Sequence, residues 1–168
     1  MMQKLIFASL LAAPLVIGAS AQAHVSLEQK AAVAGSYQKL TFRVGHGCEG
    51  SATTALTITL PEGLKGAKTM PKPGWTVAPA GAAARDFSWK GGPLPDEQFD
   101  EFNLLVKLPD APGKQVFRVL QQCEKGRADW SELPGTAGKF PAPVLEIVPA
   151  DAAAAAAATG AAPAAHHH

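Results

Sequence analysis

Residues 99–108, FDEFNLLVKL, carry the clearest strand pattern in the chain. Apolar side chains occupy every second position from Phe102 to Leu108, and mostly polar side chains lie between them. A period of two places alternate side chains on opposite faces of a β-strand. The pattern therefore predicts a half-buried strand, with Phe102, Leu104, Val106 and Leu108 on one face and Glu101, Asn103, Leu105 and Lys107 on the other.

The same alternation recurs in Tyr37–Val44 and Thr53–Leu60, which we predict as two further strands. Shorter apolar runs predict strands at Trp75–Val77, Phe87–Trp89, Gln115–Cys123, Asp129–Glu132 and Pro143–Val148. Glycine-rich and proline-rich connections are expected at Gly45–Gly50, Lys68–Gly74, Gly91–Pro95 and Pro109–Gly113. Short strands separated by turn signals, without helical periodicity, are typical of all-β folds. We therefore expect an antiparallel β-sandwich of the immunoglobulin or fibronectin-III type.

Both ends of the chain differ from this predicted domain. Residues 1–23 have a positive start, an apolar run and an Ala-Gln-Ala ending, which predict a signal peptide cleaved before His24. A cut after Ser20 is the rival. The apolar run is shorter than the about 20 residues that cross a bilayer, so we expect no membrane span in the mature chain. We therefore expect one domain over residues 24–149, followed by an Ala-rich disordered tail over residues 150–168. A signal peptide also predicts a periplasmic or secreted location.

Charge and motif content argue against several function classes. The full chain has 15 Lys and Arg against 14 Asp and Glu. Because Lys4 is the only charged residue before His24, the mature chain is formally neutral. A neutral chain without a basic stripe argues against nucleic acid or an anionic membrane as the main partner. Nucleophile-elbow, phosphate-loop and dinucleotide-binding motifs are also missing from the sequence, so no motif indicates an enzyme.

The chain has 2 cysteines, Cys48 and Cys123. An even number of cysteines in an exported protein predicts a disulfide. Closing so long a loop would stabilise the fold by about 4 kcal/mol in the loop-entropy account. A pair of thiolate metal ligands is the alternative, but the cysteines lack the short spacing of a metal knuckle.

Cleavage before His24 would give the mature chain an N-terminal histidine. Its free α-amine and its imidazole Nδ1 can close on one metal ion as a chelate. An internal histidine cannot do this, because its backbone nitrogen is an amide. Amine and imidazole nitrogens suit Cu(II), which has the highest affinity among the divalent ions of the series. The alternative interpretation of His24 is a frayed terminal residue without a metal.

His24-Val25 follows the predicted signal peptide, and the His46-Gly47-Cys48 loop leads into Ser51–Thr54. The Phe99–Phe102 strand and the late Trp130 come after them. In this order along the chain, these features resemble the YcnI family of exported bacterial domains. The resemblance covers the predicted domain and implies an immunoglobulin-like sandwich with a single-histidine brace for Cu(II). By position, the site residues that the resemblance implies are His24, Glu101 and Trp130, with Glu97 and Asp100 as neighbouring carboxylates.

The function that we expect is therefore binding rather than catalysis. The resemblance implies an exported Cu(II) chaperone or buffer in copper homeostasis, with another copper-handling periplasmic or membrane protein as a further partner. A copper-dependent redox enzyme is one alternative, and His46 is the only second histidine in the domain that its brace could use. A metal-free, exported protein-interaction module is the other alternative.

Overall fold

A computed structural model describes residues 24–78 and 84–151. The predicted signal peptide, residues 1–23, and most of the predicted tail, residues 152–168, lie outside the described residues. No helix in the described part of the chain is long and apolar enough to cross a membrane. The strands are β1 Ser26–Leu27, β2 Ala31–Val33, β3 Tyr37–Val44, β4 Thr53–Thr59, β5 Lys65–Thr69, β6 Trp75–Val77, β7 Asp86–Leu94, β8 Asp100–Lys107, β9 Gly113–Val116, β10 Arg118–Cys123, β11 Arg127–Trp130 and β12 Val144–Val148.

These strands form three sheets. A four-stranded sheet has the order β1-β3-β8-β5, a five-stranded sheet has the order β11-β10-β4-β7-β6, and a three-stranded sheet has the order β2-β12-β9. Strand pairing is antiparallel except between β2 and β12, which run parallel. The prediction of an all-β fold with antiparallel sheets is confirmed.

The core lies between the two larger sheets, where the predicted apolar faces meet. Strands β3 and β8 pair over their whole length, and Phe42 lies opposite Phe102. Both rings are fully buried. The indole of Trp89, from the five-stranded sheet, lies 5.6 Å from the Phe102 ring, centroid to centroid. This edge contact joins the sheets into a sandwich, and removing so buried a ring would cost about 3–5 kcal/mol.

A disulfide joins Cys48 to Cys123, as the cysteine count predicts. The Cα atoms are 5.9 Å apart and the two residues are separated by 75 positions. Cys48 lies in the loop after β3, and Cys123 ends β10. The bridge therefore fixes the loop that carries His46 to the five-stranded sheet.

The predicted loop at Gly91–Pro95 is wrong, because β7 continues through Leu94. Gly91 pairs with Trp75 of β6. A Cβ atom on Gly91 would lie 2.5 Å from the Gly74 carbonyl oxygen, and one on Gly92 would lie 2.8 Å from the Trp75 ring. The glycines thus allow close packing against Trp75 within a strand, where the sequence pattern had indicated a turn.

The prediction of one strand over Gln115–Cys123 is also wrong. The segment is divided at Phe117: β9 pairs with β12, whereas β10 pairs with β4 and β11. The Phe117 side chain is fully buried, and its ring lies 5.3 Å from the Phe42 ring. The chain changes sheets at this residue. The predicted connection Lys68–Gly74 likewise begins inside a strand, because β5 runs to Thr69.

Candidate metal centre

The chain segment after His24 is held on the four-stranded sheet. Val25 is buried, and Ser26 pairs with Arg43 of β3. The Glu28 amide donates a hydrogen bond of 3.0 Å to the Thr41 carbonyl oxygen. These contacts fix the segment that follows His24, as a metal ligand at that position would require.

The imidazole of His24 meets the indole of Trp130. The ring centroids are 5.6 Å apart and the planes are nearly perpendicular, at 83°. Trp130 ends β11 and is only 2% exposed. The structure therefore brings together two of the three predicted site residues, one from each end of the domain sequence.

His46 reaches the same indole from the loop after β3. Its ring centroid lies 6.4 Å from that of Trp130, and Phe140 packs on the indole at 5.1 Å. The His46 Nδ1–H donates to the Gly47 carbonyl oxygen. Because a carbonyl oxygen only accepts, the neutral ring keeps Nε2 unprotonated. We call the group His24, His46, Gln121, Trp130 and Phe140 the Trp130 end.

Gln121 belongs to this group although the sequence interpretation passed over it. Its Oε1 accepts a hydrogen bond of 3.0 Å from the Trp130 indole N–H. Its Nε2 donates to the His46 carbonyl oxygen at 2.7 Å and to Thr53 Oγ1 at 2.8 Å. A signal existed: Gln121 is a polar residue at an alternating apolar position, two residues after Val119.

Glu101 lies in a different neighbourhood. Its carboxylate pairs with Arg43 at 2.9 Å, with both side chains partly exposed. Arg43 separates Glu101 from Ser26 in the sheet, so the Cα atoms of Glu101 and Ser26 are about 10 Å apart at the usual strand spacing. His24 is two residues farther along. Among the described residues, no hydrogen bond or ion pair joins Glu101 to His24.

The Asp100 carboxylate, next to Glu101 in sequence, is also paired with another group. Asp100 pairs with Lys72 at 2.5 Å and accepts a hydrogen bond of 2.8 Å from the Glu101 amide. We call Arg43, Lys72, Asp100 and Glu101 the Glu101 face. In the part of the chain that the structure describes, no three His, Cys, Asp or Glu side chains form a group that could hold a metal ion. A centre at His24 therefore depends on its α-amine as an additional donor.

The surroundings of the Trp130 end carry several charges. A cavity of about 160 Å³ is lined by His46, Trp130 and Phe140, with Lys125, Arg127 and Lys139 also on its wall. Asp129, next to Trp130, accepts a hydrogen bond of 3.1 Å from Arg118 Nε. Hydrogen bonding from Arg118 lowers the pKa of Asp129. Glu49 also lines this cavity, and its carboxylate pairs with Lys139 at 3.3 Å, so the wall carries both signs of charge.

The geometry allows one kind of metal chemistry at His24. An α-amine and an imidazole from one residue would supply two nitrogens, and the indole would limit access to one side of the ion. Such a donor set fits Cu(II), which prefers nitrogen and oxygen ligands in a tetragonal arrangement. For Glu101 to supply a carboxylate, its side chain would have to leave Arg43.

Comparison with known proteins gives a match over most of the described domain. Residues 24–86 and 78–147 match the family described as "Domain of unknown function (DUF1775)". The YcnI family, which the residues resemble, is this family. No curated protein is similar enough to the chain to count as a match.

Solved structures are similar as well. An uncharacterized protein from Nocardia farcinica, whose crystal structure is described as an immunoglobulin-like fold, is 31% identical with a TM-score of 0.65, over 74% of this chain and 98% of that chain. This likeness confirms the predicted immunoglobulin-like sandwich. A putative membrane anchored protein from Corynebacterium diphtheriae is 12% identical with a TM-score of 0.48, over 71% of this chain and 32% of that chain. At that level of similarity we draw nothing from it.

Proposed function

The chain belongs to the family described as "Domain of unknown function (DUF1775)", and from this premise we propose that it is an exported Cu(II)-binding protein. It serves as a copper chaperone or buffer in the periplasm and is not an enzyme. The observation that carries the proposal is the contact of His24 with the buried Trp130. The first residue after the predicted cleavage site thus lies against an aromatic wall, which supports a fixed ligand at that position.

The proposed centre uses both nitrogens of the mature terminus. The α-amine and the Nδ1 of His24 chelate the ion, and Trp130 covers one side of it. A six-membered chelate formed by one residue loses little additional conformational entropy, because Val25 and β1 already hold the segment that follows His24. A copper carrier must also release its cargo, and a small donor set leaves coordination positions for a partner protein.

Glu101 is the proposed carboxylate ligand. To reach the ion, its carboxylate must leave Arg43. Exposed ion pairs of this kind contribute up to about 1 kcal/mol, so the carboxylate loses little stabilisation when it leaves Arg43. Arg43 is then a competitor for Glu101, and metal binding is expected to break that pair.

The test of this function compares two mature proteins that differ by one residue. One begins at His24 and the other carries an added Ala before His24, which converts the α-amine into an amide. Titration of chelator-stripped protein should show one Cu(II) bound by the first. The second should bind at least about 100-fold more weakly, equivalent to about 2.8 kcal/mol. Equal affinities would overturn the proposal.

Two additional measurements complete the design. Mass spectrometry of the exported protein should find His24 as its first residue, and a start at Ala21 would contradict the proposed centre. A His46→Gln variant is the matched control, because it removes an imidazole from the same indole without touching the chelate. Its affinity for Cu(II) should stay close to that of the unmodified protein. Absence of binding in every variant would indicate a metal-free interaction module.

A copper-dependent redox enzyme is the second candidate. The observation that favours it is the approach of both histidines to Trp130, since a brace with two histidines needs a second imidazole. Oxidase turnover by the copper-loaded protein that disappears in His46→Gln would support this candidate over the carrier. We rank it second because, among the described residues, His24 and His46 are not joined by a third His, Cys, Asp or Glu side chain in a group that could hold a metal ion.

A further inference from the structure

Gln121 is one of the few fully buried polar side chains of the described residues. It lies on β10, where its backbone pairs with Leu56 of β4 and Ala128 of β11. Its relative exposure is 0%, and Thr53, beside it, has the same value. A buried amide costs free energy unless each of its polar atoms has a partner. The partners of Gln121 therefore explain why this position tolerates a polar residue.

The chemistry of those partners fixes the orientation of the amide. The indole N–H of Trp130 can only donate, so it must face the Gln121 oxygen, at 3.0 Å. The His46 carbonyl oxygen can only accept, so it must face the Gln121 nitrogen, at 2.7 Å. Exchanging the oxygen and nitrogen would break both contacts at once. The second hydrogen of the Nε2 group goes to Thr53 Oγ1.

We propose that Gln121 is a positioning residue that links the Trp130 indole to the His46 loop through one buried amide. Its oxygen holds the indole so that the N–H points into the core. Rings from outside the core, including His24, therefore meet the carbon edges and face of the indole. Its nitrogen holds the backbone of the His46 loop, and the neighbouring Gly47 amide is held by Asp96 at 2.8 Å. An effect of this link on the affinity for Cu(II) depends on the proposed function, but the link itself does not.

A near-isosteric substitution separates the two arms of the link. Gln121→Glu, studied at a pH high enough to ionise the new carboxyl group, keeps an acceptor for the indole N–H and has no donor, so the His46 carbonyl oxygen loses its partner. In NMR spectra of the metal-free protein, the Trp130 indole N–H should stay protected while the His46 ring signals shift. Gln121→Leu removes both arms, and indole N–H exchange should accelerate about tenfold or more while the His46 signals shift as well. The Trp130 signal is identified by its loss in Trp130→Phe.

Thr53→Val is the matched control, because it removes only the third contact of the amide. Its indole N–H and His46 signals should match those of the unmodified protein. If Gln121→Leu alters the indole signal and leaves His46 unchanged, the amide serves Trp130 alone and the link is wrong. The same conclusion follows if Gln121→Glu leaves the His46 signals in place. Should Gln121→Leu fail to fold, Gln121→Glu still decides the question.

Copper binding gives an independent measurement. Loss of outer partners of a metal site lowers metal affinity about 10–100-fold, and we expect a decrease of this size in Gln121→Leu but not in Thr53→Val. If the unmodified protein binds no Cu(II), the proposed function fails, while the metal-free NMR results still test the link. If copper binds and Gln121→Leu leaves its affinity unchanged, the link has no bearing on the metal centre, and its expected effect on copper binding is wrong while the proposed function stands.

Discussion

The Trp130 end and the Glu101 face hold their polar groups in opposite ways. At the Trp130 end, a buried amide satisfies the indole and the His46 backbone within the core. On the Glu101 face, partly exposed charges pair with each other, Arg43 with Glu101 and Lys72 with Asp100. A buried network is costly to disturb, whereas exposed ion pairs exchange partners cheaply. The fold therefore already places the proposed nitrogen ligand, His24, against the indole. The proposed carboxylate ligand, Glu101, must first leave its ion pair.

The largest effect that distinguishes the two regions should come from the disulfide. Replacing both cysteines, in Cys48→Ala/Cys123→Ala, should lower the free energy of unfolding by about 4 kcal/mol, because the bridge closes a loop of 75 residues. Urea unfolding measures the loss. Since the bridge fixes the His46 loop, hydrogen exchange in residues 45–51 should increase more than in β3 and β8. Equal increases in the loop and in these two strands would contradict a local effect of the disulfide on the His46 loop.

The next effect concerns the α-amine of His24. A terminal amine has a pKa of about 7.7–8, so Cu(II) must displace its proton near neutral pH. Below this pKa the affinity should rise about tenfold per pH unit, and above it the contribution of the amine should level off. Calorimetric titrations over this pH range measure the slope. The control with an Ala before His24 should lose this part of the slope, and an unchanged slope would remove the amine from the site.

A smaller effect tests whether Glu101 is recruited. Arg43→Met removes the competitor for the Glu101 carboxylate, so Cu(II) affinity should rise up to about fivefold, the equivalent of one exposed ion pair. Glu101→Gln should lower it. Arg85→Met is the control, because its side chain is similarly exposed, 53% against 46%, and pairs with Glu62 instead. If Arg43→Met and Arg85→Met give the same affinity, Glu101 is not a ligand.

The smallest effect concerns the exposed pair beside Trp130. Hydrogen bonding from Arg118 lowers the pKa of Asp129 below its ordinary 3.8. A lowered folded-state pKa contributes stability above the unfolded-state pKa, and this stability is lost as the pH falls through the folded-state value. Asp129→Asn should therefore unfold at a slightly lower urea concentration at neutral pH, and the difference should disappear in strong acid. The Trp130 indole N–H should stay protected throughout, because Gln121 holds it from the other side.

Local periodicity explains why much of the fold was predictable. Strands such as β3 and β8 expose one face and bury the other, so their sequences carry the period of two. The change of sheets at Phe117 left no such trace, because both β9 and β10 are extended and the break depends on where Phe117 packs. The glycines of β7 led to a wrong prediction of a loop for a related reason. Their small size allows close packing against Trp75 and does not mark a turn.

The candidate site was predictable only in part. The resemblance placed His24 and Trp130 in one site, and their rings are in contact. The placement of Glu101 in that site stays a prediction. Gln121 could have been noticed as a polar residue at an apolar position, but its partners come from β11 and from the loop after β3. Local sequence patterns do not reveal contacts between residues far apart in the chain, because no partner has an unusual pattern in its own segment.

The parallel pairing of β2 and β12 has a mechanical consequence. Ala31–Val33 lies beside Glu146–Val148 in the same direction, although one strand is near the start of the domain and the other near its end. Tension applied before Ala31 and after Val148 would slide the two strands past each other and load their hydrogen bonds together. Antiparallel terminal strands would instead peel apart one bond at a time. A domain whose first and last strands pair in parallel should therefore need a higher unfolding force, when pulled from its ends, than one whose terminal strands are antiparallel.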